Sequence, residues 1–321
     1  MNIWKLAGYY GKKLLLFFAS ILLLSAAVFF ISRLAPGDPL VSYYGDRAEK
    51  MSPAQREWAG RRLGLDQPLA VQYVCWLRNA LHGDFGISYK YKMDVTDVIA
   101  GRTGNTLVLG GAAFVLTAVP ALLLGLLCAW KEGSLTDRVI CRAGPVFGCI
   151  PEFWLSLILI LIFAVRLPWF PSSGAYTIGR EQDAGDRIWH LVLPVTVLVL
   201  GHLWYYAYLV RNLILDEIRS DYVLLAKSKG LGRRSILLRH CLRNAAPAYV
   251  SMLALAVPHM LGGTYIVEMV FSYPGLGTLS YESARYQDYN LLMLLCILTG
   301  TAVILCSMAA QIINEKTDGR I

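Results

Sequence analysis

The sequence predicts an all-α, polytopic membrane protein with six transmembrane helices, and three observations carry that reading. Only 16% of the 321 residues are charged, against 56% hydrophobic, where soluble domains carry about 25% charged residues. The apolar residues gather in blocks that reach the roughly 20-residue length needed to span hydrocarbon. The blocks are too long for tilted strands and do not alternate apolar with polar, so helices are the spanning form that satisfies their backbone in lipid. Such a composition excludes a disordered chain, a fibrous repeat and an ordinary soluble enzyme.

The first block covers residues 14–31. Lys5, Lys12 and Lys13 precede it as in a secretory leader. The apolar run is longer than a leader's and no convincing small-x-small site follows, so it is read as an uncleaved anchor. Next comes a long outer segment, residues 33–104, with helix signals of its own. Ser52-Pro53 is an N-cap followed by proline at the first helical position, leading into residues 54–63. Pro68 opens a second stretch in which Val71, Val74, Leu77 and Leu81 recur at helical spacing, ended by Gly83. A small helical cap and a docking surface for an external partner both fit this segment.

The remaining spans are expected at 106–130, 143–165, 190–210, 244–267 and 289–314. Between the fourth and fifth lies the loop 211–243. Ser220 or Asp221 caps a short helix over 222–229, Gly230 stops it, and Leu231-Gly232 follows as a flexible joint. A second, basic helix runs through Ile236, Leu237, His240 and Cys241, with Pro247 at the entry to the fifth span. A short helix held between two spans by a glycine joint is a lever that a cytoplasmic partner can grip. A basic anchor lying on lipid fits the charge equally well.

Loop charge orients the whole. With the N-terminus inside, the cytoplasmic segments hold 16 Lys/Arg and the two short outer loops hold 4. Both termini are therefore expected in the cytoplasm, with the large loop between helices one and two outside. The net charge of +8 is then mostly an inner-loop effect. It calls for anionic lipid or a cytoplasmic partner and not for nucleic acid. The chain divides into an anchor and outer loop (1–105), a five-helix core (106–314) and a tail (315–321). Seven cysteines without a CxxC point to neither a disulfide framework nor a thiolate metal site.

Several stretches now read together. Ala226-Lys227-Ser228-Lys229-Gly230-Leu231, then His240-Cys241-Leu242-Arg243-Asn244-Ala245 and Pro247, resemble the loop signature of binding-protein-dependent ABC importer permeases. Residues 33–39 (RLAPGDP), 63–69 (LGLDQPL), 83–88 (GDFGIS), Ile150-Pro151, Phe153-Trp154 and 268–277 (EMVFSYPGLG) resemble one subgroup, the first permease subunit of dipeptide, oligopeptide and nickel importers. The likeness runs through nearly the whole chain in the family's order. Two departures stand out: Leu224-Leu225-Ala226 occupies the family's Glu-Ala-Ala position, and Glu152 stands where a small polar residue is usual.

The resemblance implies a plasma-membrane permease for short peptides or nickel chelates that works by alternating access. It implies a homologous second permease, two cytoplasmic ATPase subunits and an extracytoplasmic solute-binding protein as partners. Asp221, Tyr222, Ala226, Lys229, Gly230 and Leu231 fall on its ATPase-coupling loop. No GxxxxGK[ST] occurs, so ATP and Mg²⁺ are expected on the partner subunits, with no cofactor or metal held by this chain and no catalytic residue in it. Polar groups inside spans are path candidates by default: Glu152, His202 and His259, to which Glu268 at the outer end of the fifth span is added. Packing roles remain open for each. Two other classes compete. A secondary transporter driven by an ion gradient shows paired intramembrane carboxylates or broken repeats, and only Glu152 is fully intramembrane here. An intramembrane enzyme lacks its HExxH or GxSxG.

Overall fold

The computed structural model describes residues 3–34, 39–44, 47–48, 50–62 and 64–317. The centre of the 33–39 motif, Leu63 of the 63–69 motif and the last four residues of the tail lie outside the described residues. Those described form helices and turns, with one isolated bridge between Ile87 and Asp94 and no strand. In chain order the helices are α1 (Ile3–Leu34), α2 (Pro39–Tyr44), α3 (Pro53–Arg62), α4 (Leu69–Leu81), α5 (Val95–Trp130), α6 (Leu135–Phe147), α7 (Glu152–Leu159), α8 (Ala184–Ile218), α9 (Asp221–Ser228), α10 (Arg233–Ser235), α11 (Leu242–Val270), α12 (Leu276–Arg285) and α13 (Tyr289–Thr317). Two π-helical stretches, Ile160–Arg166 and Ile236–Cys241, extend α7 and join α10 to α11.

Five helical stretches are long and apolar enough to cross a bilayer, the fourth being the continuous run Arg233–Val270. The third predicted span is different. Residues 143–165 do not form one rod. The chain bends by 105° between Leu135–Phe147 and Glu152–Arg166, and only if that pair is counted as one crossing does the total reach six. Pro151 explains the break: it cannot donate to a preceding turn, and it takes an extended ψ of 135° as the residue that opens α7. Glu152 is thus the first residue of a helix rather than a residue two turns into one.

Contacts divide the chain into two compact units, Met1–Gly104 with Gly275–Leu305, and Asn105–Pro274 with Cys306–Ile321. In the first, the aromatic face of α4 packs on α1. The Phe29 ring, fully buried, lies 5.4 Å from Tyr73 and 6.1 Å from Trp76, and Ser25 shares a 2.9 Å hydrogen bond with the Tyr73 hydroxyl. The expected start of α3 takes the form of a capping box: Ser52 Oγ accepts from Gln55 N at 3.4 Å, and Gln55 Oε1 accepts from Ser52 N at 2.9 Å. The Pro274-Gly275 turn opens α12, an amphipathic helix. Leu279 of α12 joins Val95, Ile99, Leu291 and Leu295 in one buried cluster. Fully buried Asp288 accepts from the Ser88 hydroxyl and from the Lys90 backbone N–H at 3.1 Å. Nearby, Glu282 accepts at 2.6 Å from both Lys90 Nζ and the Tyr91 hydroxyl.

The second unit is a helical core built on α8. Val197 and Leu198 enter a cluster with Leu109, Met260 and Val267, while Val210, Ile214 and Leu215 enter another with Val223, Ile236, Leu237 and Cys241. Two glycines let backbones meet. A Cβ on Gly125 would fall 2.5 Å from Val210 Cγ1, and one on Gly144 would fall 2.9 Å from Tyr208 Cβ and 3.1 Å from Trp204 O. The close approach at Gly144 is therefore a seat for α6 on α8. An ion pair fastens the same two helices at one end: Arg211 Nε and Nη2 donate to the Asp137 carboxylate at 2.9 and 3.1 Å. The fork-to-fork geometry is that of the stronger charge-assisted bonds.

Candidate functional site

The loop after α8 folds as a short helix with two unlike faces. On one side Val223 and Ala226 are buried against Val210, Ile214, Leu215, Ile236 and Leu237. On the other Leu224 and Leu225 are 61% and 56% exposed, beside exposed Asp221, Lys227 and Lys229. Ser220 does not cap α9 with its side chain; its hydroxyl donates to Glu217 O at 2.6 Å. The Tyr222 hydroxyl donates to the Glu217 carboxylate, and burial followed by this carboxylate pushes the Tyr222 pKa well above the ordinary phenol value. Gly230 ends the helix in the left-handed region at φ +76°. Its N–H donates to Lys227 O at 2.9 Å, and Leu231 N donates to Ala226 O at 3.2 Å. All six loop residues singled out from the sequence lie on this turn-and-helix. The basic stretch expected to form a separate helix instead continues into α11 as the run Arg233–Val270, so the only joint is at Gly230–Gly232.

Midway along α8 lies a half-open cavity of about 1070 Å³, lined by the break before α7, by α8 and α11, and by Asn314 of α13. Glu152, His202 and His259, chosen from the sequence as isolated polar groups in spans, all line it. The imidazoles of His202 and His259 meet edge to face with centroids 5.0 Å apart, and Tyr206 stacks within 6.2 Å of His202. His202 is 2% exposed, and its Nδ1 lies 2.8 Å from Leu198 O. Glu152 is half-buried, and its carboxylate makes no hydrogen bond among the described residues. Gly263 leaves the space for this meeting: a Cβ there would lie 3.3 Å from Glu152 Oε1 and 3.5 Å from His202 Cε1.

Glu268 is placed apart from these three. It is fully buried near the end of α11, where Thr106 Oγ1 donates to its Oε1 at 2.6 Å and Tyr273 N donates to its backbone carbonyl at 2.8 Å. It does not line the cavity. Sequence reasoning missed the part played by Gly263 and by Tyr206. The Gly262-Gly263 pair was the available signal, but it could not say which side chain fills the space.

Residues 121–321 match the family described as the binding-protein-dependent transport system inner membrane component, and residues 11–110 match its N-terminal companion. The chain belongs to this permease family. It is 34% identical over 317 residues to the oligopeptide transport system permease protein AppB of Bacillus subtilis, covering 98% of this chain and 99% of that one. A putative peptide permease protein of Brucella ovis is 31% identical over 96% of this chain and 97% of its own. A solved structure of the MetNI methionine ABC transporter in an inward-facing conformation superposes at TM-score 0.51 and 19% identity. That match covers 68% of this chain and 96% of the other, and shows the shared fold. The permease is accordingly a multi-pass inner-membrane protein of the ABC transporter class.

Proposed function

We propose that this permease carries short peptides inward across the cytoplasmic membrane, driven by ATP hydrolysis on two separate subunits and working beside a homologous second permease. The observation that carries the reading is that one helix serves both ends of the task. The inner half of α8 grips α9 through Ile214 and Leu215, and its middle walls the cavity through His202 and Tyr206. The exposed Leu224 and Leu225 are the surface an ATPase groove would bury, while Val223 and Ala226 fix α9 to the spans. A motion imposed on α9 thus reaches the cavity without a soft link. An ATPase does work here only through different affinity for α9 in its nucleotide states, and rigid-body rocking of the helical core is the expected response.

Peptide is the cargo named in the relatives' descriptions, and the cavity is of the size that holds small organic ligands, roughly 300–1,000 Å³. Nickel chelates are the second cargo class for the subgroup. Both termini in the cytoplasm, six crossings with the bent pair counted as one, and delivery of cargo by an external binding protein complete the proposal. Glu152, His202 and His259 line the path in this reading, and Glu268 supports its outer end. The test is reconstitution in proteoliposomes with the ATPases, the second permease and the binding protein. Peptide uptake should require ATP and the separate ATPase chains. Uptake by this chain alone on a proton or sodium gradient would replace the proposal with an ion-driven transporter.

A further inference from the structure

The cavity wall holds a buried hydrogen-bonding atom that nothing among the described residues satisfies. The Leu198 carbonyl can only accept, so His202 Nδ1, 2.8 Å away, is the donor and carries the ring's proton. In a neutral imidazole the other nitrogen then presents a lone pair. That nitrogen, Nε2, is buried without a partner among the described residues. A buried polar atom left unpaired loses its hydration without replacement, so it calls for an occupant. Beside it stands the Glu152 carboxylate, which converges with the His202 ring on the bare face of Gly263 and is, among the described residues, the only formally charged side chain on the cavity wall, to which no described Lys or Arg contributes. The His202 lone pair and the Glu152 carboxylate are therefore both acceptors, and one is an anion. The rings of Tyr205 and Tyr206 line the same space and offer the π-faces that favour a cation.

We infer that this cavity binds a protonated primary amine, with the Glu152 carboxylate as counter-ion and His202 Nε2 as a second acceptor. The inference rests on the peptide reading and deepens it: the amine is the α-ammonium group of a peptide or a lysine side chain within it. A metal ion is a poorer occupant, since among the described residues no three His, Cys, Asp or Glu side chains are grouped to hold one.

The test uses the assembled complex of both permeases and the ATPases in nanodiscs, without the binding protein, so that the permeases' own selectivity is read. Equilibrium binding of a radiolabelled neutral tripeptide with a free amine is compared with that of its N-acetyl form, on wild type and on Glu152→Gln. The free amine should bind about tenfold or more tightly than the acetylated form to wild type, the ratio of one charge-assisted hydrogen bond. Glu152→Gln should abolish the difference, and Glu152→Asp should restore part of it. An N-acetylated peptide carrying lysine separates the two sources: recovered affinity assigns the site to any primary amine, and none assigns it to the α-ammonium. Equal affinity of both forms for wild type, or a preference that survives Glu152→Gln, overturns the inference. The wild-type ligand comparison stands even if the variant fails to assemble. Import of the peptide by a complex that shows no binding overturns this inference alone. Failure of the full system to import any peptide removes the peptide reading and this inference with it.

Discussion

Replacing Gly230 tests the joint most directly, because its geometry separates two kinds of damage. Gly230 sits at φ +76°, and a Cβ built on it meets nothing within 4 Å. Gly230→Ala therefore introduces no clash. It incurs only the left-handed backbone cost, roughly 1–2 kcal/mol, on an otherwise unchanged turn. Gly230→Pro is different in kind. The ring fixes φ near −65°, a rotation of roughly 140° from the native angle, and it deletes the N–H that bonds Lys227 O, worth about 1 kcal/mol. The native joint cannot form, so α9 must leave its seat or change direction. The assay is the ratio of ATP hydrolysed to peptide taken up in proteoliposomes. Alanine should keep that ratio within about twofold of wild type, since its strain of roughly 1–2 kcal/mol falls on the turn and not on the α9 contacts. Proline should leave insertion intact while uptake collapses and hydrolysis continues. A proline variant with wild-type coupling would refute the claim that this joint transmits force.

Three further outcomes follow from the packing and the charges. Asp137→Asn should lower the thermal stability of the detergent-solubilised protein by about 3 kcal/mol, the usual cost of orphaning one member of a largely buried pair. The double variant Asp137→Leu with Arg211→Met should recover most of that loss in the same melting assay, and a double variant as unstable as the single would contradict this account. Gly125→Ala should destabilise by roughly 1–3 kcal/mol through overpacking, because its methyl would meet Val210 and the Arg211 backbone within 3.0 Å. Gly111→Ala, with open space around it, should melt like wild type.

In the first unit, burial works to raise the Glu282 pKa, but the hydrogen bonds from Lys90 and Tyr91 outweigh it and hold the carboxylate below its ordinary value. Burial likewise works to lower Lys90, and Glu282 outweighs it and holds the ammonium above its own. The stabilisation from Glu282 is thus complete above the unfolded carboxylate value, about 4.3, and is lost as pH falls through the depressed folded value. That from Lys90 is complete below about 10.4 and is lost as pH rises through the raised one. The protection factors of the α12 amides, with the intrinsic pH dependence of exchange divided out, should stay flat between those limits and fall outside them. Glu282→Gln should remove the acid-side change.

Much of the fold could be read from residue patterns because membrane spans advertise themselves by composition. Val95–Trp130 and Tyr289–Thr317 contain the predicted runs almost intact, extended where polar residues such as Asp97 and Arg102 continue the helix beyond the apolar block. Composition fails where continuity matters. Residues 143–165 are apolar enough for a span, yet Gly148 and Pro151 break the backbone without altering hydropathy. The join of Arg233 to α11 was hidden for the opposite reason, since Pro247 and the edge of the apolar block argued for two separate helices while the backbone stayed helical through both. The candidate site was legible as a set of unusual residue types: Glu152, His202 and His259 each stood alone in an apolar run. Their convergence was not, because it depends on the 105° break and on the space left by Gly263, which are facts of three dimensions. Glu268 looked alike in sequence and was separated only by the hydroxyl of Thr106, 162 positions away.

The unbroken stretch of α8 from His202 to Leu215 has a mechanical consequence. Its proline, Pro194, lies upstream of this part, which is therefore a straight rod of roughly 20 Å at 1.5 Å per residue. Each degree of tilt at the end that seats α9 then displaces the imidazole end by about 0.35 Å, as that length dictates. A ten-degree swing amounts to about 3.5 Å, more than the length of a hydrogen bond. Small angles at the seat of α9 are in this way converted into made or broken contacts at the cavity wall.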